Sequence, residues 1–371
     1  MQNIAHLKFQ TSLYTILKAF FHFYLLSPPF FINSEVMALP LLSIFVFSSL
    51  ALFSLTESKL NVDYYNKSCP QFEKIIQQIV VDKQLAAPTT AAGALRLFFH
   101  DCMVGGCDAS LLISSNSFAT AERDTDINLS LPGDAFDLIA RAKTALELQC
   151  PGVVSCADIL AVATRDLITM VGGPFYNIRL GRKDSFESYA KDVEGHIARP
   201  NMTMDTIINM FASKNLNVQE MVALVGAHTI GFSHCSEFRK RIFNFSNTSE
   251  IDPSMNPTFG QALRKLCGNN SKDMAAFNDV MTPGKFDNMY YINLQKGLGL
   301  LASDQAMLSD PRTMPFVELY AKDQDAFFKA FAHAIEKVSV YHVKTGKKGE
   351  VRRRCDVVNH LQVNSNKKIA S

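Results

Sequence analysis

RLFFHDCMVGGCDAS, residues 96–110, is the stretch of sequence from which the rest of the chain can be interpreted. Together with the alanine- and leucine-rich residues before it, this stretch predicts a helix over 89–103. Arg96 and His100 lie four residues apart, so both side chains project from one face of that helix. A fixed cation beside a titratable imidazole suits acid–base chemistry on a small anionic substrate, although such pairs more often belong to a solvated or packed helix face.

A glycine-containing loop follows this helix and carries short oxygen side chains. Asp101 lies in the last turn of the predicted helix and Asp108 and Ser110 lie in the loop, with two glycines and two cysteines between them. Oxygen ligands on a tight loop suit a hard cation such as calcium. The spacing of Cys102 and Cys107 alone does not distinguish a metal site from a disulfide.

Composition limits the size and the class of the protein. The chain has 371 residues, of which 47% are hydrophobic, which is enough for one large domain or two. The net charge is +2, and the basic residues are dispersed along the sequence. This distribution argues against a nucleic-acid-binding surface.

The first 58 residues differ in kind from the remainder. Residues 39–55 are an uncharged run typical of a signal-peptide core, and Met37 lies just before it. We therefore predict an N-terminal extension over 1–58, with a cleaved signal peptide at 37–58. A short membrane anchor is the alternative, and a mature chain that starts near Lys59 would exclude it.

Cysteines and sequons agree with secretion. All eight cysteines follow the predicted signal peptide, and an even number in that context indicates a disulfide framework. The sequence alone does not choose among the possible pairings. Six Asn-x-Ser/Thr sequons predict a glycoprotein, and they begin at Asn66, Asn128, Asn201, Asn244, Asn247 and Asn269.

The hydrophobic pattern is helical nearly throughout and predicts an all-α fold with little β-structure. One strand is predicted over 176–180. Asp134 and the pairs Ser155/Asp158 and Asn217/Glu220 are typical helix N-terminal signals. The predicted helices span 72–85, 89–103, 135–149, 155–171, 205–214, 217–229, 259–266, 288–296, 314–322 and 325–339.

His228 shares an apolar face of the predicted helix 217–229 with Met221, Leu224 and Val225. A histidine in such a position is more often packed in the core than a ligand. Near the helix end, however, a neutral imidazole could hold a haem iron from one side. Such a ligand needs an acceptor for its other ring nitrogen, and Asp304 is a candidate.

Six motifs, taken in order, resemble those of the secreted plant haem peroxidases of class III. The resemblance covers about residues 59–359, and all eight cysteines fall where that family has them. The motifs are RLFFHDCMVGGCDAS, VSCADILAVATRD, GRKDS, VALVGAHTIGFSHC, TPGKFDNMYY and LLASDQ.

This resemblance implies a two-domain, all-α fold that holds one haem b between its domains. The distal domain would comprise 59–203 plus 326–360, and the proximal domain 204–325, followed by a C-terminal tail at 361–371. The protein would be a monomer that reduces H2O2 and oxidises small phenolic donors in one-electron steps. It would be secreted to the cell wall or the vacuole, without stable membrane association once the signal peptide is removed.

The resemblance also implies roles for residues on the distal side of the haem. His100 would be the acid–base group, and Arg96 would stabilise the charge that develops as the O–O bond breaks. Arg96 would also keep His100 neutral in the resting enzyme. Asn128, positioned through Glu122, would hold His100 Nδ1, and Phe99 would pack against the haem.

On the proximal side, His228 would be the axial ligand of the haem iron and Asp304 would accept its Nδ1–H.

Two calcium ions are implied. The distal ion would be bound by Asp101, Asp108, Ser110 and the carbonyls of Val104 and Gly106. The proximal ion would be bound by Thr229, Asp279, Thr282, Asp287 and the Lys285 carbonyl. The implied disulfides are Cys69–Cys150, Cys102–Cys107, Cys156–Cys355 and Cys235–Cys267.

One residue departs from the family pattern, and one basic segment has two possible roles. Ala198 stands where the family has a proline at the phenol-binding edge, so phenol binding is the property most affected. This change is also the one argument for an alternative function, a haem-retaining cell-wall binding protein with weak phenol turnover. The basic run 344–354 is either a solvated loop or a weak binding site for acidic wall polysaccharide.

Overall fold

Helices form most of the chain in the computed structural model, which describes residues 60–268 and 274–359. The described residues belong to one unit, Ser58–Ser371. The predictions for 1–58, for the sequon at Asn269 and for the tail at 361–371 lie outside the described residues. The helices are α1 Phe72–Ala86, α2 Thr90–Met103, α3 Gly133–Gln149, α4 Cys156–Met170, α5 Met204–Ala212, α6 Val218–Val225, α7 Cys235–Ile242, α8 Pro257–Leu266, α9 Met289–Gln295, α10 Ala302–Ser309, α11 Met314–Lys322 and α12 Gln324–Ser339.

The all-α prediction is confirmed, and each predicted helix has a counterpart. The pattern missed α7 and α10. The strand predicted over 176–180 is wrong: the segment buries Tyr176, Ile178 and Leu180 in alternation, but only Leu180 forms a bridge, with Asn61. The described strands are β1 Phe232–His234 and β2 Ala275–Phe277, which pair antiparallel.

Helix N-termini follow the local sequence signals in two of three cases. Asn217 and Glu220 form a complete capping box at α6, and Ser155 accepts a hydrogen bond from Asp158 N at α4. The prediction that Asp134 caps α3 is wrong. Its carboxylate instead forms an ion pair with Lys83 at 3.0 Å, while Pro132 occupies the cap position.

Two packing arrangements position the histidines. Helix α2 lies against α3 and α4, and α6 lies against α12, within one large hydrophobic core. After α6 the chain turns in a short 3-10 helix, Gly226–Thr229, which carries His228. A Cβ at Gly226 would lie 2.2 Å from Tyr291 Oη and 2.6 Å from Phe327 Cε2, so this close approach requires glycine.

Four disulfides join the described cysteines in the pairs that the resemblance implies: Cys69–Cys150, Cys102–Cys107, Cys156–Cys355 and Cys235–Cys267. The short Cys102–Cys107 loop fixes the end of α2, and Cys156–Cys355 joins the start of α4 to the C-terminal segment. Within the described ranges, the structure contains no helix with the length and apolar character needed to span a membrane.

Candidate active site and ion-binding sites

Arg96 and His100 meet on one face of α2. Arg96 Nε donates to His100 Nε2 at 3.3 Å, and Arg96 Nη2 donates to the Ile127 carbonyl at 2.9 Å. Arg96 Nη1 donates to the Ser130 carbonyl at 3.2 Å. Because a guanidinium only donates hydrogen bonds, His100 Nε2 must be the acceptor and carries no proton.

The opposite nitrogen of His100 is held by Asn128. The distance from His100 Nδ1 to Asn128 Oδ1 is 2.6 Å, and Asn128 Nδ2 donates to the Glu122 carbonyl at 2.8 Å. With Nε2 unprotonated, Nδ1 carries the hydrogen and donates it to Asn128. Glu122 therefore positions Asn128 through its backbone carbonyl and not through its buried carboxylate.

Burial is the main cause that lowers the pKa of His100 from 6.5 to about 3, and the positive charge of Arg96 lowers it further. The hydrogen bond to Asn128 acts in the opposite direction. His100 is therefore neutral over the whole physiological range. The sequence interpretation attributed the neutrality of His100 to Arg96, whereas in the structure burial lowers its pKa more than Arg96 does.

We expect the variant Arg96→Leu to raise the pH at which His100 becomes protonated. With the acid–base role that the resemblance implies for His100, reaction with H2O2 requires a neutral imidazole, so the rate should fall as the pH falls through its pKa of about 3. Without the Arg96 charge this midpoint moves upward, but it stays below 6.5 because burial remains. Rate constants for the haem-loaded enzyme and H2O2, measured from about pH 3 to pH 7, check this. Arg141→Leu, at an exposed arginine, is the control, and an unmoved midpoint in Arg96→Leu would contradict the argument.

Asn128 is expected to carry no glycan although it begins a sequon. Its side chain is only 2% exposed, and both its amide oxygen and its amide nitrogen are engaged. A glycan on Nδ2 would break the bond to Glu122 and could not fit in this buried position. Glycopeptide mapping of the protein expressed in plant cells checks this, with the exposed Asn66 as an internal reference. An intact glycopeptide at Asn128 would refute this arrangement.

His228 lies in the 3-10 turn that follows α6. His228 Nδ1 lies 3.0 Å from Asp304 Oδ1, and Asp304 is fully buried in α10. Burial works to lower the pKa of His228, but the charge of Asp304 opposes it and the net pKa is raised. His228 keeps 38% of its side chain accessible, and its Nε2 has no described partner. An imidazole with one anchored nitrogen and one open nitrogen has the donor chemistry of an axial haem ligand.

Phe99 lies beside His100 on α2 and packs against Phe211 of α5, with ring centroids 6.0 Å apart. The positive charge of Arg96 also acts on His228 and is the smallest of the causes that change the pKa of this histidine. The residues present therefore fit a haem. His100 provides a neutral imidazole beside Arg96, and His228 provides an imidazole anchored by the carboxylate of Asp304.

The loop after α2 brings oxygen ligands together in the way that the distal calcium prediction requires. Asp101 and Asp108 are 1% and 2% exposed. Asp101 Oδ2 accepts from Ala109 N at 2.9 Å, and Asp108 Oδ1 accepts from Ser110 N at 3.0 Å. Ser110 Oγ is buried without a partner among the described residues. A Cβ at Gly106, where φ is +125°, would lie 2.6 Å from the His342 carbonyl, so the turn requires glycine.

The proximal calcium prediction involves residues that are far apart in sequence and adjacent in the structure. Thr229 Oγ1 lies 3.4 Å from Asp279 Oδ2, from the Lys285 carbonyl and from Asp287 Oδ1. Thr282 Oγ1 lies 3.2 Å from Asp279 Oδ2 and 3.1 Å from Asp287 Oδ1. Oxygens that bind one ion at about 2.4 Å and at right angles are about 3.4 Å apart, so this spacing fits calcium.

Both ligand sets consist mainly of hydroxyls, carbonyls and two carboxylates. Residues 60–268 and 274–359 contain no group of three or more His, Cys, Asp or Glu side chains suited to a metal, so neither predicted site is a cluster of that kind. A hard cation with oxygen ligands is therefore the kind of ion these sites fit.

The segment that carries Ala198, the residue predicted to line the phenol-binding edge, is hydrogen-bonded to residues next to both clusters. Ala198 is partly buried against the main core. Its neighbour Arg199 binds Asp126 through both terminal nitrogens at 3.1 Å. The Pro200 carbonyl accepts from Ser303 N at 3.1 Å, next to Asp304. The segment that carries Ala198 is thereby joined to both sides of the site.

Sequence reasoning missed several residues that support the site. Ile127 and Ser130 hold Arg96, and Asn293 Nδ2 donates to Asp279 Oδ1 at 2.7 Å. Lys344, within the basic run 344–354, forms an ion pair with Asp108. The proximity of Ile127 and Ser130 to Asn128 in sequence was a usable signal, but Asn293 and Lys344 carried none.

Comparisons with known proteins agree with this arrangement. Residues 74–323 match the family model described as peroxidase. Peroxidase 6 of Arabidopsis thaliana is 64% identical over 307 residues, which cover 82% of this chain and 94% of that protein. Peroxidase 65 and peroxidase 41 of the same plant are 59% and 58% identical, over 82% and 84% of this chain and 90% and 95% of their own lengths. The chain therefore belongs to the peroxidase family, in the class III group of plant haem peroxidases.

Proposed function

We propose that the protein is a secreted haem peroxidase that reduces H2O2 to water and oxidises small phenolic donors. The observation that carries this proposal is the hydrogen-bonded series Arg96–His100–Asn128, with His100 neutral and its Nε2 free of a proton. Haem bound between His100 and His228 supplies the iron at which the peroxide is reduced. One H2O2 and two phenols give two waters and two phenoxyl radicals.

His100 moves the proton in this reaction. Its Nε2 would accept a proton from one peroxide oxygen and return it to the other oxygen, which departs as water. Asn128 keeps the ring in the tautomer that this transfer needs, because it engages Nδ1–H. Arg96 stabilises the negative charge on the departing oxygen, and its contacts with Ile127 and Ser130 fix it in place beforehand.

His228 would hold the haem iron through Nε2 in this proposal. Asp304 accepts its Nδ1–H and would give the imidazole anionic character, which would favour oxidised iron. Phe99 limits access to the haem, and Ala198 lines the edge at which phenols bind. We assign one haem b to the protein and place it between a distal domain of 59–203 plus 326–360 and a proximal domain of 204–325.

Two calcium ions complete the proposed enzyme. Asp101 follows His100 and Thr229 follows His228 directly in sequence, so each ion braces a histidine-bearing segment through one covalent neighbour. Loss of calcium would thus displace the segments that carry His100 and His228 directly. We further propose that the protein acts as a monomer in the cell wall or the vacuole, with any polysaccharide contact weak.

Stopped-flow mixing of the haem-loaded mature chain with H2O2 and then guaiacol tests the proposal. We expect rapid consumption of peroxide and guaiacol oxidation that depends on it. Consumption of peroxide without guaiacol oxidation would locate a defect at the Ala198 edge. A haem-loaded protein that does not react with H2O2 would overturn the roles of Arg96 and His100.

A further inference from the structure

Two cations of the basic run 344–354 turn inward and contact the loop of residues 101–110. Lys344 Nζ forms an ion pair with Asp108 Oδ2. Arg352 is fully buried and donates to the Ala109 carbonyl through Nη2. The backbone adds a third contact, since Cys107 N donates to the Tyr341 carbonyl at 3.2 Å. The C-terminal segment therefore packs onto the loop that is proposed to bind the distal calcium.

Lys344 and calcium would interact with the same carboxylate. The loop contains two buried carboxylates, Asp101 and Asp108, together with the unpartnered hydroxyl of Ser110. Lys344 compensates the negative charge of Asp108. A divalent ion bound at Asp108 must then either displace the ammonium group or bind beside a like charge.

Displacement is sterically feasible because the Lys344 side chain is long and 30% exposed. Its ammonium group can swing into water, where it is well hydrated. Asp108, in contrast, is 3% exposed as a side chain and stays in the loop. The backbone of Lys344 is fixed as well, since its carbonyl accepts from Lys183 N at 2.8 Å, so the ammonium group remains tethered near the site.

We propose that Lys344 is a tethered cation that competes with calcium for Asp108 and thereby lowers the affinity of the distal site. The same ion pair compensates Asp108 when calcium is scarce and keeps the loop in place. This inference rests on the calcium-binding part of the proposed function. It gives part of the basic run a role within the fold.

The variant Lys344→Met tests the inference, because methionine keeps most of the side-chain length and removes the charge. Lys347→Met, at an exposed lysine of the same run, is the matched control. Calcium binding to the haem-loaded protein is measured by calorimetry against a competing chelator. Asp108→Asn identifies which of the bound equivalents belongs to the distal site.

We expect Lys344→Met to bind calcium at the distal site at least about tenfold more tightly than the wild type, with calcium binding at the other site unchanged. In excess chelator its thermal unfolding midpoint should fall below that of the wild type, and in excess calcium it should not. Lys347→Met should match the wild type in both measurements. The unfolding midpoint in excess chelator distinguishes a lysine that compensates Asp108 from an exposed lysine that makes no stabilising contact.

Distal affinity that is unchanged or weaker in Lys344→Met would overturn the inference. Weaker binding would mean that Lys344 organises the site for calcium. If Asp108→Asn retains every equivalent of calcium, Asp108 is not a ligand, and the inference fails together with the distal calcium assignment. The peroxidase reaction itself would be untouched by that result, since it is tested separately with H2O2 and guaiacol.

Discussion

The variant His100→Leu is expected to react with H2O2 about 100- to 10,000-fold more slowly than the wild type, the range that a positioned acid–base group contributes. The structure leaves His100 Nε2 without a proton, as the acceptor of a hydrogen bond from Arg96 Nε at 3.3 Å, and fixes Nδ1 at 2.6 Å from Asn128 Oδ1. Leucine fills a similar volume in the buried position but cannot accept a proton. The measurement is the second-order rate constant of the haem-loaded variant with H2O2, followed by stopped-flow absorbance.

The control for this prediction is His333→Leu, since His333 is 72% exposed as a side chain and lies on α12, outside the proposed site. We expect it to react at the wild-type rate. Both variants should retain haem, because the proposed iron ligand is His228. A rate for His100→Leu within a few-fold of the wild type, with haem bound, would remove His100 from the mechanism.

Sequence reasoning predicts well where the signal is local. The capping box of Asn217 and Glu220 is found because both partners lie in one helical turn. The Asp134 prediction fails for the opposite reason, since Lys83 reaches it from another helix. The proximal calcium set was available only through resemblance, because Thr229 and Asp287 are 58 residues apart.

The direction of a side chain is what the sequence predicts least well. Lys344 and Arg352 belong to a run that reads as solvated, yet they contact residues 236 and 243 positions earlier. Glu122 supports Asn128 through a carbonyl, which every residue type has, so no pattern could have pointed to its backbone. Such contacts depend on how distant segments pack against one another.

We expect Asp158→Ala to lower the free energy of unfolding by about 3–5 kcal/mol, the cost of leaving one partner of a buried ion pair without the other. Asp158 and Arg182 form an ion pair at 2.8 Å with both side chains fully buried. Asp158 Oδ2 also accepts from Tyr65 Oη and from Gly181 N, each at 2.7 Å. Arg182 Nε in turn donates to the Ser339 carbonyl at 3.0 Å, at the end of α12.

Removal of Asp158 therefore leaves a buried guanidinium without its counter-ion at a point where the N-terminal segment, α4 and the end of α12 meet. Three further donors, Tyr65 Oη, Gly181 N and Arg182 N, lose the same acceptor. Urea unfolding at neutral pH with the disulfides intact measures the effect. Arg141→Met is the control, because its ion pair with Asp137 is exposed and should contribute little. In the double variant Asp158→Leu/Arg182→Met both charges are absent, so it should be more stable than Asp158→Ala. A double variant that is no more stable than Asp158→Ala would show that lost packing, rather than the uncompensated charge, causes the loss.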